Sequence, residues 1–186
     1  AKGPRGARGG RGTGQDGRRE VRRVGKGPIM KKSHIEALLV AASSLSREHW
    51  EVVTILLKTG IELEALSRVT WRDLSKDQLS WPRSSSAGEV SFPLDDPDLR
   101  KAAWGFIRRP RRSADQLDRL VRQARKAAGL PELEGVTALS LRLTRCLDLL
   151  KGGMSPREIA RMLVIKPGVV LQVAREAGLG DPGAKP

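Results

Sequence analysis

The sequence predicts a mainly α domain with a small antiparallel β-sheet, an α+β class, on three observations. Eight segments carry apolar residues at helical spacing. Two short runs, Gln78–Trp81 and Glu89–Phe92, alternate polar and apolar residues and each is followed by a proline. No apolar strand alternates regularly with a helix, which argues against a parallel doubly wound sheet.

Taken in order, Ser33 is placed to cap a first helix bearing Ile35, Leu38, Leu39 and Ala42 on one face. Ser46 is placed to cap a second, with Trp50, Val53, Ile55, Leu56 and Leu57 as its apolar set and Thr59-Gly60 as its stop. A third short helix is expected over about 61–68, then the two strands, joined by the turn RSSSAG. Helices are expected over about 96–108 and 114–128, split by Arg108-Arg109-Pro110-Arg111-Arg112, with Gly129 closing the second. Three more are expected over about 138–150, 156–163 and 168–176.

The chain has 186 residues, with 35 Lys and Arg against 21 Asp and Glu, a formal net charge of +14. Such an excess points to a polyanion. No apolar run approaches the ~20 residues of a spanning helix, so a membrane is not the expected partner. No apolar leader opens the sequence, and the one cysteine, Cys146, permits no disulfide within the chain. Both features argue for a cytoplasmic protein, and the charge makes nucleic acid the first candidate partner. With two His and one Cys, no closed zinc site is expected, and no cofactor or metal is assigned.

The charge is uneven. Residues 1–32 hold 11 basic side chains against 2 acidic, and the rest of the chain 24 against 19. Residues 1–28 are rich in Gly and Arg, and their aliphatic side chains larger than Ala are Val21 and Val24, with Ile29 at the edge. Burial there cannot offset ordering entropy, so 1–28 is read as a disordered basic arm, 29–177 as the folded domain and 178–186 as a flexible end. Arg5, Arg8, Arg11, Arg18, Arg19, Arg22 and Arg23 of the arm are candidate phosphate contacts, although RGARGGRG also resembles the Gly/Arg segments of RNA-binding proteins.

The run LLKTGIELEALSRVTWRDL supplies Thr59, Gly60, Leu66, Trp71, Asp73 and Leu74 in a recognisable order. It is followed by Glu89-Val90-Ser91-Phe92-Pro93-Leu94, by ARKAAGLPE and by VTALSLRLTRCLDLLKGG. Over residues 30–177 this order resembles the catalytic domain of the tyrosine recombinases, the phage-integrase family. The resemblance implies that fold, a three-stranded sheet within it, and duplex DNA as partner. It also implies a Tyr nucleophile, arginines on the phosphate, and Lys and His in proton transfer.

The residue types depart from that pattern at the chemistry. The position of the first Arg holds Glu62, that of the first His holds Leu139, that of the second His holds Ile165, and that of the Tyr holds Ala174. The Lys position falls within Arg83–Ser86, which contains no Lys, and the chain contains no Tyr. Arg142 keeps the second Arg. The expectation is therefore a protein that binds duplex DNA without cutting it, in a regulatory, architectural or accessory role. An active recombinase with displaced residues is the alternative.

Other constellations add to this. Arg108, Arg109, Arg111 and Arg112 form the main basic patch of the folded part, read as either a solvated loop or a phosphate-contacting one. Lys31, Lys32, Arg142, Arg145 and Lys151 are further candidate DNA contacts. The segment 155–177 resembles a helix-turn-helix, but its second helix offers only Gln172 and Arg175 for base edges. It is read first as core or as an interface with a second copy or an active recombinase. Trp71 is expected in the core, Trp81 and Trp104 in the core or an interface, and Cys146 as a small buried residue.

Overall fold

A computed structural model describes residues 29–82 and 88–179. The arm arginines Arg5 to Arg23, the Arg83–Ser86 turn and residues 180–186 lie outside the described residues. The chain runs α1 (Lys32–Leu45), α2 (Arg47–Thr59), α3 (Leu63–Arg68), a 3-10 turn (Trp71–Asp73), β1 (Gln78–Pro82) and β2 (Glu89–Pro93). Then come α4 (Pro97–Ile107), α5 (Ala114–Ala128), a second 3-10 turn (Pro131–Leu133), α6 (Ala138–Lys151), α7 (Pro156–Leu163) and α8 (Pro167–Glu176). The class is the expected one, mainly α with a small antiparallel sheet.

Local chemistry sets most of these boundaries. Ser46 accepts the His49 N–H at 3.3 Å and starts α2. Gly60 ends that helix at φ 67°, where a side chain would be strained. Reciprocal bonds between Ser113 and Gln116 start α5, and those between Ser155 and Glu158 start α7. The α1 start differs from expectation. Lys31 is the cap, no side chain caps the helix, and Ser33 lies inside the first turn.

β1 and β2 pair antiparallel with Leu79 opposite Phe92 and Trp81 opposite Val90. These four side chains are buried, while Gln78, Glu89 and Ser91 face outward, the period of two read from sequence. Each buried large side chain of this set contributes about 1.5–3 kcal/mol. Pro82 and Pro93 are the last residues of their strands rather than the residues after them. The sheet has two strands among the described residues, not three. A single bridge from Leu74 to Leu79 stands beside them.

The core has two parts. The larger gathers α1, α2, α3, the sheet, α4 and α5 around Leu38, Leu56, Leu66, Leu79, Leu99 and Leu117. The smaller joins α6, α7 and α8 through Leu143, Cys146, Ile159, Leu163, Val170 and Val173. Val170, Val173 and Ala174 of α8 are consumed within this second cluster or beside it. The apolar character of α8, which suggested an interface between copies, is thus accounted for inside the chain. Leu171 is half-buried, and Leu179 beyond the helix is exposed.

Trp71 is a correction. It is 71% exposed, not in the core. Thr70 and Asp73 clamp the turn, with the Thr70 N–H donating to Asp73 Oδ2 at 2.6 Å, and the Trp71 ring is left outside under the Arg72 guanidinium. Trp81 is buried, and Trp104 is 37% exposed.

Candidate nucleic-acid interface

The described chain enters the fold beside α6, where the Met30 N–H donates to Thr144 Oγ1 at 3.1 Å. That helix also carries Arg142, Arg145 and Lys151. Lys31, Lys32 and Lys151 are exposed, and Lys32 has only a 3.9 Å ion pair to Glu36. A pair that open to water contributes little and leaves the ammonium available.

Arg142 is turned inward. Its Nε donates to the Gly60 carbonyl at 3.0 Å, and its Nη2 donates to Glu62 Oε1 at 3.3 Å and to the Leu163 carbonyl. Its side chain is 13% exposed. Burial pulls its pKa below the usual guanidinium range, against the opposing pull of Glu62. The guanidinium remains charged and joins the end of α2, the start of α3 and the end of α7.

Two backbone features permit this junction. A Cβ at Gly60 would lie 2.6 Å from Leu163 Cδ2, so only glycine lets the two helix ends approach this closely. Val164 then takes the left-handed conformation at φ 53°, ψ 48°. A β-branched residue there stores on the order of 1–2 kcal/mol, held by the surrounding contacts.

Of the other positions singled out by the recombinase pattern, Leu139 is 40% exposed and Ile165 is half-buried. Ala174 is fully buried. Arg145 also faces inward, over the Phe92 ring at 5.6 Å, and burial pulls its pKa down. Its Nε is buried with no hydrogen-bond acceptor.

The basic loop splits in two. Arg109 donates to Glu51 from Nε at 2.5 Å and from Nη2 at 3.2 Å, and Arg112 donates to Glu48 at 2.9 and 3.1 Å. Glu51 is 1% exposed and also accepts from Arg47 Nε at 3.1 Å. The hydrogen bond that Arg112 donates holds the Glu48 carboxyl below the usual carboxylate range, and the one that Arg109 donates to Glu51 raises the Arg109 pKa. Arg108 is exposed, and Arg111 is exposed with one bond from Nη2 to the Arg68 carbonyl. The sequence reading did not find Glu48 and Glu51. Their i, i+3 spacing within α2, with Glu51 set between the apolar Trp50 and Val52, was the available signal.

Cys146 is buried among the apolar residues of α6 to α8, and desolvation pushes its thiol up to about 11. The His49 ring is hydrogen-bonded to Ser46 Oγ at 2.7 Å and to Gln123 Oε1 at 2.9 Å. Gln172 donates to Glu176, leaving Arg175 as the exposed one of the two candidate polar side chains on α8.

No family model matches the sequence, and no curated protein does. Solved structures do. The XerA recombinase matches with a TM-score of 0.65 and 20% identity, over 82% of this chain and 65% of that one. The fold is that of the tyrosine-recombinase catalytic domain. A lambda integrase dimer bound to a COC' core site matches with a TM-score of 0.62 and 19% identity, over 74% of this chain and 57% of that one. The Tn1549 transposon integrase in complex with transposon right-end DNA matches at 0.59 and 17%, over 78% and 61%. This chain therefore spans less than two-thirds of the length of each of these proteins.

The comparison corrects one expectation. The residue types at Glu62, Leu139, Ile165 and Ala174 led to the reading that the chain is not an enzyme. The structures that share its fold are a recombinase and integrases, which are enzymes. The chain shares its fold with these enzymes, and the side-chain identities at a few positions do not show that it is not one. No helix among the described residues is long and apolar enough to cross a membrane.

Proposed function

We propose that the chain binds duplex DNA on a recombinase-type scaffold and serves DNA recombination or integration. The observation that carries this reading is the shared fold with integrases whose structures hold DNA. The exposed ammonium and guanidinium groups of Lys31, Lys32, Arg108 and Lys151 support it, as does the Arg-rich composition of residues 1–28.

Binding is driven by counterion release. Each phosphate neutralised by a Lys or Arg frees condensed cations, so affinity falls steeply as salt rises. Arg142 contributes by fixing the junction of α2, α3 and α7, and Arg109 and Arg112 by fixing the loop, since their charges are already met by carboxylates. Any base preference comes from side chains the folded surface presents, and the Arg-rich segment adds affinity without reading sequence.

The test is the affinity for a labelled duplex as a function of salt, with and without residues 1–28. The expected result is a linear log–log fall whose slope drops on deletion. An affinity that salt does not change, or a preference for RNA over duplex DNA of equal length, contradicts the reading.

A further inference from the structure

A cleft of about 380 Å³ opens between the C-terminal end of α3 and the α4–α5 loop. Leu66, Val69, Phe106 and Ile107 line it with apolar surface, and Trp71 stands at its edge. Its volume falls at the lower end of the ~300–1,000 Å³ of ligand-sized clefts. Its charged lining consists of Arg72, Arg109, Arg111 and Arg112, with no carboxylate among the lining residues. Arg109 and Arg112 are held by Glu51 and Glu48, so Arg72 and Arg111 present the exposed cationic edge.

This is a different place from the Arg142 junction. Glu62 immediately precedes the N-terminal end of α3, and the cleft lies at the other end, roughly 9 Å along a six-residue helix.

A 71% exposed Trp against an apolar floor, ringed by guanidinium groups, matches one chemistry. We infer that this cleft docks an acidic peptide segment of another protein, which inserts one bulky apolar side chain beside Trp71 and sets its carboxylates on Arg72 and Arg111. Carboxylates suit guanidinium because two parallel N–H···O bonds form at once. Tryptophan at a pocket rim is the residue type that most often dominates binding energy at protein interfaces.

The chain's own ends do not match. Residues 1–28 are strongly basic and meet like charge, and residues 180–186 carry one Asp, one Lys and no large apolar side chain. Duplex DNA presents convex phosphate ridges and inserts nothing into an apolar recess without unstacking. An extruded base would need acceptors as well as donors to read its edge, and the charged lining offers only donors.

The probe is a terminally blocked, fluorescently labelled peptide with one Leu and one Phe in a run of Asp and Glu, followed by anisotropy with the full chain. Two control peptides replace Leu and Phe with Ser, or Asp and Glu with Asn and Gln. Saturable binding is expected, about tenfold weaker for Trp71→Ala and for the Arg72→Ala, Arg111→Ala pair, and absent for both controls. Trp71 is too exposed for its replacement to unfold the chain, and circular dichroism verifies this.

Four outcomes overturn the inference. They are no saturable binding, equal affinity for the Ser control, an unchanged affinity for Trp71→Ala, and displacement of the peptide by an oligo-dT strand in a Trp71-dependent way. Duplex affinity of Trp71→Ala, measured alongside, should stay unchanged. A parallel loss there assigns the cleft to nucleic acid instead.

Discussion

The α2–loop seam and the α3–α6–α7 junction both pair arginine with a carboxylate, and they do it differently. At the seam, Arg109 and Arg112 meet carboxylates in two-point pairs, and Glu51 rather than the arginine is the buried partner. At the junction, Arg142 is the buried partner, and two of its three acceptors are backbone carbonyls. The carboxylate pairs raise the guanidinium pKa at the seam, and desolvation lowers it at the junction. An arginine in a basic run can therefore already be committed to partners inside the fold, which its residue type alone does not reveal.

The junction should break hardest. Arg142→Met removes the guanidinium that donates to the Gly60 and Leu163 carbonyls and to Glu62, a loss of about 3–5 kcal/mol in urea unfolding. The seam should follow through its backbone. A Cβ at Gly105 would lie 2.1 Å from Glu51 Oε1, so Gly105→Ala must displace a buried carboxylate from two arginines. A loss of about 2–3 kcal/mol is expected, with a lowered midpoint and an unchanged m-value.

Neighbouring loop residues then sharpen the comparison. Arg109→Met should cost about 1–3 kcal/mol, because Glu51 keeps only Arg47, while Arg108→Met should stay within about 0.5 kcal/mol. Duplex affinity should reverse that order, falling for Arg108→Met and holding for Arg109→Met. Equal effects of the two variants on both readouts would erase the distinction.

The smallest effect is that of Cys146. Its folded pKa of about 11 lies above the unfolded value of 9.0. The stability this contributes is present below pH 9 and is lost as pH rises toward 11. A Cys146→Ala variant should lack that decline. In the native chain at neutral pH, the thiol should react with a disulfide reagent only as fast as α6 to α8 open.

Much of the fold was legible because it follows from local rules. Ser46, Gly60 and Gly129 mark helix ends by capping and by left-handed φ, and the sheet register follows from alternation around Leu79, Trp81, Val90 and Phe92. Less of the site was legible. The partners of Arg109 and Arg112 lie 58 and 64 residues away, a separation that no window along the chain reveals. Trp71 misled because an apolar residue within a motif reads as core. Its outward direction is set by the Thr70–Asp73 clamp, a geometry that the residue types only suggest.

The most direct test of duplex binding by unmet surface charge is the salt dependence of one variant. Replacing Lys31, Lys32, Arg108 and Lys151 with Ala should weaken duplex binding. It should also reduce the log–log salt slope by up to about 0.9 for each phosphate that is no longer neutralised, with stability unchanged. A variant with the slope and affinity of the parent chain would contradict the account.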